Sequence, residues 1–154
     1  MTTHNIPTTV LLKAVAGIIL FFTAPSLWAQ EANDIVGKWY TEEKKATVEI
    51  YTCGDKYCGK IVSLQEPKNP DGTTKRDVKN PSEDLRSRTI VGSDILTSLQ
   101  YDGGNDWEDG EIYDPESGKT YSCRLELEDA NTLEVRGFIG VSLLGRSQTW
   151  TRAK

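Results

Sequence analysis

The side chains that most often carry enzyme chemistry are few in this sequence. Its one histidine, His4, falls in an N-terminal stretch that reads as a removable leader, so the chain beyond it has no imidazole. That excludes Ser-His-Asp and Cys-His nucleophilic sites, proton transfer by histidine, and zinc or haem sites that need a histidine ligand. Carboxylates, lysine, tyrosine and cysteine remain, and no spacing singles out a carboxylate pair fit for hydrolysis. The expectation is a protein that is not an enzyme and takes no cofactor and no metal.

Other groups invite a chemical reading. Cys53 and Cys58 flank a tight connection between apolar runs. In an exported chain, cysteines facing each other across a hairpin are read as a disulfide in preference to a metal pair or a C-x-x-C redox site. Cys123 alternates with Tyr121, Leu125 and Leu127 and reads as a buried thiol packing as a small hydrophobe. Arg76, Arg86 and Arg88 suit bidentate capture of a carboxylate head group at a binding-site mouth, although Asp71, Asp77, Glu83 and Asp84 lie close enough in sequence to pair with them instead. Trp107, Tyr113 and Tyr121 are candidates for a pocket wall, with ordinary core as the other reading. The acidic group Asp102, Asn105, Asp106, Glu108 and Asp109 lacks the EF-hand spacing and reads as a solvated turn.

Lys13 precedes an uncharged apolar run over residues 14–22, and Pro25 and Ala29 follow as the approach to a cleavage site, the pattern of a secretory signal peptide. The run is much shorter than the roughly 20 apolar residues a membrane span needs. Cleavage is expected after Ala29, with Ala32 the second choice, and no cysteine near the cut is available for lipoprotein-type acylation. The expected product is a soluble periplasmic protein, residues 30–154, with no membrane segment. Removing 29 of the 154 residues leaves 125, enough for one domain with a single core. Losing Lys13 takes the net charge from −5 to −6. With no basic block in the chain, nucleic acid is not an expected partner.

The elements that must position these groups are strands. From Gly37 onward short alternating runs are separated by turns, and no segment sustains a helical period. Strands are predicted over 37–41, 46–52, 59–64, 89–91, 95–101, both arms of a hairpin spanning 107–127, 132–138 and 146–152, with a short helix from Asp94 as an alternative. At the hairpin turn Asp114 bonds amides ahead of it, Pro115 presets φ, and Gly118 takes the left-handed position. Residues 65–88, rich in proline and charge, form one long loop after the third strand, where Asn80 can cap a short helical turn beginning at Pro81. Loops of this length often act as lids or binding loops; disorder is the alternative. About eight strands joined mainly by short turns predict an all-β fold, an antiparallel up-and-down β-barrel whose interior holds side chains or one small ligand.

Gly37-Lys38-Trp39 in the first strand and Thr149-Trp150-Thr151-Arg152 in the last resemble the lipocalin and wider calycin pattern, in which such a tryptophan and arginine pack together and plug one end of the barrel. A Trp39–Arg152 closure is worth roughly 0.5–2 kcal/mol as a cation–π contact; the other reading is a polar group on a cavity floor. A more specific likeness runs from Gly37 to Arg152. Val48-Glu49-Ile50, Cys58-Gly59-Lys60-Ile61, Asp77-Val78-Lys79-Asn80-Pro81, Leu85-Arg86-Ser87-Arg88, Trp107-Glu108-Asp109-Gly110, Gly118-Lys119-Thr120-Tyr121 and Leu133-Glu134-Val135-Arg136-Gly137 resemble, in order and spacing, the bacterial family called domain of unknown function 2147. That resemblance implies an exported protein with a lipocalin-like or fatty-acid-binding-like barrel and no assigned activity. Members often carry another cysteine near the position of Phe138, and its absence here weakens any second disulfide for Cys123. The expected function is binding of a small apolar or amphipathic molecule of the fatty-acid class. The alternative is an envelope interaction protein with a filled barrel that acts through the 65–88 loop. A hollow interior favours the first and a packed one the second.

Overall fold

The computed structural model describes residues 31–154, so the expected signal peptide, 1–29, lies outside the described residues. The strands follow in chain order: β1 (Gly37–Tyr40), β2 (Ala46–Cys53), β3 (Lys56–Leu64), β4 (Asp94–Gly103), β5 (Asp106–Asp114), β6 (Lys119–Asp129), β7 (Thr132–Phe138) and β8 (Arg146–Arg152). Each pairs antiparallel with the next, and β8 returns to β1 through Trp39↔Arg152 and Tyr40↔Thr151, which closes the barrel. Closure leaves no open sheet edge to recruit another chain. Among the described residues no helix is long and apolar enough to cross a membrane.

Period-two alternation makes the barrel interior. Val48 and Ile50, Tyr57 and Ile61, Cys123, Leu125 and Leu127, Leu133 and Val135 turn inward and are buried, joined by Trp39, Trp107 and Trp150. Glu49, Arg124, Glu126 and Glu134 occupy the intervening, less buried positions.

Two strands depart from simple alternation. The expected shared face of Ile95, Thr97, Leu99 and Tyr101 does not form, because Ser98 adopts a φ of 63° and slips the pattern; Ile95, Leu96 and Leu99 are the buried residues. The stretch from Asp94 is strand throughout, not helix. In β5, Asp109 at φ 55° accompanies a register shift between Trp107 and Gly110, so an extra residue is accommodated as a bulge.

Residues 89–91, expected as strand, belong to the long connection, which therefore extends to residue 93, with Thr89 bridged to Arg76. A second bridge, Lys68↔Thr74, and a 3-10 turn at Glu83–Leu85 give the connection defined structure in place of disorder. The cap of that turn is Ser82, not Asn80. Asn80 instead accepts the Ser82 amide at 2.9 Å and donates to Asp77 at 2.8 Å. The β5–β6 turn forms as its residue types demand: Gly118, at φ 73°, donates its N–H to the Asp114 carbonyl at 2.8 Å, and the Asp114 carboxylate accepts the Glu116 amide at 2.9 Å. A side chain at Gly118 would also overlap the Lys79 carbonyl, so glycine lets the connection dock against this hairpin. Cys53 and Cys58 form a disulfide across the β2–β3 hairpin, and Cys123 is free and buried.

Candidate functional site

One end of the barrel is closed by residues 31–36, whose Ile35 is fully buried. The interior aromatics fasten this plug. Trp39 Nε1 donates to the Ile35 carbonyl at 2.8 Å, Trp107 Nε1 to the Ala32 carbonyl at 3.1 Å, and the Tyr57 hydroxyl to Asn33 Oδ1 at 3.2 Å. The Arg152 guanidinium lies 4.2 Å from the Trp39 ring centre. It donates to the carbonyls of Asp34 at 2.6 Å, Ala130 at 2.6 Å and Val36 at 3.3 Å. Trp107 thus belongs to the closed end, where its donor is occupied.

At the β5–β6 turn a second cluster anchors the connection. Asp77 is fully buried and accepts from Tyr113 Oη at 2.5 Å, Asn80 Nδ2 at 2.8 Å, and Arg88 Nε and Nη2 at 3.0 and 2.8 Å. Burial pushes the Asp77 carboxyl up, but those hydrogen bonds and the Arg88 charge outweigh it and hold the group below the usual carboxylate range. Burial, followed by the bond to Asp77, pushes Tyr113 up to about 12. Arg76 donates to the Ser87 carbonyl, and Arg86 donates to the Asn80 carbonyl at 2.8 Å with an exposed ion pair to Glu83 at 3.5 Å. The structure therefore joins Arg88 to Tyr113 through Asp77, and gives Arg76 and Arg86 partners within the connection. It does not gather the arginines around Tyr121.

The middle of the barrel is filled. A Cβ on Gly59 would meet Leu96 Cδ1 at 2.9 Å, and one on Gly110 would overlap the Leu99 side chain, so these leucines occupy the space the glycines leave. Beyond them, on the inward faces of β5 to β8, Ile112, Tyr121, Gly137 and Gln148 are only half-buried. Here a Cβ on Gly137 would lie at ordinary contact distance, 3.4 Å from Ile112 Cγ2 and 3.7 Å from Tyr121 Cβ. Inward-facing side chains keep solvent contact only where a barrel is open, so this end is a shallow cup. Arg146, next in the inward row of β8 that runs through Gln148 and Trp150, is exposed and has no hydrogen-bond or ion-pair partner among the described residues.

Sequence reasoning passed over Arg146 and Gln148, although the alternation that places Trp150 inside places them at the mouth. Two clefts of about 360 and 430 Å³ lie on the outer surface, one within the connection around Pro67 and Pro70, the other over the β5 bulge around Glu108, Glu111 and Arg124. Burial pushes the Cys123 thiol up to about 12, which leaves it protonated at neutral pH. Among the described residues no group of three or more His, Cys, Asp or Glu is placed to hold a metal ion.

Residues 37–152 match the family described as "Uncharacterized protein conserved in bacteria (DUF2147)". The chain belongs to this family. Among solved structures, the DUF2147 chain is similar to one described as "Protein HP1028 from the human pathogen Helicobacter pylori belongs to the lipocalin family". The two are 26% identical with a TM-score of 0.67, over 77% of this chain and 82% of that one. No curated protein matches the chain. This DUF2147 member is therefore a lipocalin-like barrel with one plugged end and one cupped end.

Proposed function

We propose that this DUF2147 protein is an exported, periplasmic binding protein, not an enzyme, whose open cup takes a small amphipathic molecule with an apolar body and an anionic head. The observation that carries this reading is the Arg146 guanidinium, without a partner among the described residues, above half-buried Ile112, Tyr121 and Gln148. A guanidinium without a protein partner keeps its planar donor fork free for a carboxylate or phosphate, and the Tyr121 ring and Ile112 supply apolar contact beneath it. The likeness to a lipocalin-family structure supports the same class. Leu96 and Leu99 fill the middle, so the ligand is short or lies partly along the rim.

Export is supported by the apolar leader and by the Cys53–Cys58 disulfide, which suits an oxidising compartment. Cleavage after Ala29 keeps the plug whole. Cleavage after Ala32 would take away the carbonyl that Trp107 bonds.

Native mass spectrometry of the processed protein from its own host is expected to reveal a bound small molecule. Arg146→Gln and Tyr121→Ala are expected to weaken binding at least about tenfold; Arg146→Gln should leave the melting temperature unchanged because its side chain is exposed, and Tyr121→Ala should cost under about 1.5 kcal/mol. An empty protein that binds nothing in a panel of fatty acids and lysolipids sinks the proposal. A second reading, an envelope interaction protein acting through residues 65–88, is favoured by the filled middle and by the firm Asp77 anchor of that connection. Photocrosslinkers at exposed Val78 and Leu85 would then trap one partner in cells; no adduct counts against it.

A further inference from the structure

The segment between β7 and β8, residues 139–145, is apolar and exposed at the cupped end. Ile139, Val141, Leu143 and Leu144 are 72%, 59%, 87% and 79% exposed. Holding large apolar side chains together in water is unfavourable, and a contiguous patch of them marks a contact surface. The segment is also fixed in place. Arg136 on β7 donates through Nε to the Ser142 carbonyl at 2.7 Å, through Nη2 to the Leu143 carbonyl at 3.5 Å, and through Nη1 to Ser147 Oγ at 2.9 Å. These bonds hold the 3-10 turn Ser142–Leu144 by its backbone and leave both leucine side chains outside the cup.

Residues 135–154 contain no Asp or Glu, and Arg136 and Arg146 flank the apolar turn; Glu108, Asp109 and Glu111 of β5 lie lower on the outer wall, lining the cleft that Ser142 borders. An apolar tip above a cationic base matches the layering of a bilayer that carries anionic lipid, acyl chains beneath phosphates. A second copy of the chain is the competing occupant, and self-association without lipid is the outcome that would assign the loop to it.

We propose that residues 139–145 are a membrane-docking loop, in which Leu143 and Leu144 enter the acyl boundary, Ile139 and Val141 lie at headgroup depth, and Arg146 meets anionic headgroup phosphates. This docking stands whether or not the cup holds a ligand. Where it does, the loop brings the mouth to the bilayer, so that an amphipathic molecule can pass between them without crossing water.

The test is vesicle flotation with the processed chain, residues 30–154, which includes the whole barrel and its plug. The vesicles are phosphatidylglycerol with phosphatidylethanolamine, or phosphatidylcholine alone. The wild type is expected to partition onto the anionic vesicles at least about tenfold better than onto the neutral ones, with the preference lost in 1 M salt. Leu143→Ser with Leu144→Ser is expected to lose about tenfold or more of that partition while keeping the wild-type melting temperature, because both side chains are already in water. Equal partition of wild type and double variant, or no flotation of either, overturns the proposal. So does lipid-free dimerisation of the wild type that the double variant abolishes, since that outcome assigns the loop to self-association.

Discussion

The two ends of the barrel hold the same kinds of side chain in opposite states. Arg152 and Arg146 sit on one inward row of β8. At the plugged end Arg152 stacks on Trp39 and donates to three backbone carbonyls; at the cupped end Arg146 bonds nothing among the described residues. Tyr57 and Tyr121 divide in the same way. Tyr57 is buried and donates to the plug, whereas Tyr121 is half-buried beside Ile112, its hydroxyl bonded to no acceptor among the described residues. A donor saturated within the fold is architecture, because releasing it for a ligand would break the bonds that hold the plug in place. A donor left unsaturated costs the fold little to give away. On that criterion the closed end explains stability and the open end is where binding chemistry remains.

The sharpest way to break the contrast is at the closed end. Trp39→Ala removes a fully buried ring, the stacking surface of Arg152 and the donor to Ile35, and is expected to cost about 4 kcal/mol in denaturant unfolding. Tyr121→Ala at the open end should cost under about 1.5 kcal/mol, because less of its side chain leaves a packed environment. Comparable losses from the two would mean that the cup is core after all.

Asp77→Ala comes next. It strands the Tyr113 hydroxyl and the Asn80 amide and leaves Arg88, 30% exposed, partly uncompensated, an expected loss of about 2–3 kcal/mol. The wild type should also lose more stability in acid than the variant, which keeps only the acid limb of other carboxyls such as Asp71 and Asp129. The folded Asp77 carboxyl titrates below its unfolded value of 3.8, so its contribution is full above that pH and is lost as pH falls through the folded value. Tyr113 works in the opposite direction. Its folded value of about 12 lies above the unfolded 10.0, so stability from the neutral phenol is present below pH 10 and is lost as pH climbs through 12. Stability curves of wild type and variant that superimpose across the acid limb would remove Asp77 from its anchoring role. Cutting the disulfide with Cys53→Ser and Cys58→Ser should cost about 2 kcal/mol, the chain-entropy value for so short a loop, with little change in partition or ligand affinity because the bridge is remote from the cup.

How much of this was legible in the sequence depends on the range of the signal. The barrel and the Asp114–Gly118 turn follow from period-two alternation and turn chemistry, which act over a few residues; the Cys53–Cys58 pairing follows from their places across a hairpin in a chain expected to be exported, and the closing Trp39–Arg152 pair from the resemblance to the lipocalin and calycin pattern. The bulges at Ser98 and Asp109 were not legible, since neither residue advertises a positive φ the way glycine does. The fate of Arg76, Arg86 and Arg88 turned on how the connection folds back on itself, where Asp77 takes Arg88 and backbone carbonyls take the others. The plug was hidden because residues 31–36 adjoin the expected cleavage site and resemble its trailing end. Arg146 was legible in principle, as it lies on the same alternation as Trp150. A charged residue at a strand end reads as solvent-facing until the closure of β8 on β1 shows which face is inside.

The smallest expected effect is the most direct measure of where the filled region stops. Gly110 and Gly137 both face inward, and neither needs a positive φ, so alanine is conformationally permitted at each. At Gly110 the added methyl overlaps Leu99, which is hemmed in by the core, and the strain should cost about 1–3 kcal/mol. At Gly137 the same methyl meets Ile112 Cγ2 at 3.4 Å and Tyr121 Cβ at 3.7 Å, distances of ordinary packing. Reduced freedom of the unfolded chain then leaves Gly137→Ala neutral or more stable by up to about 1 kcal/mol. The methyl also takes up volume in the floor of the cup, so ligand affinity should fall even as stability holds. Loss of stability at Gly137 equal to that at Gly110 would place the packed boundary at the rim itself, leaving no cup for a ligand and the outer surface as the place where the protein acts.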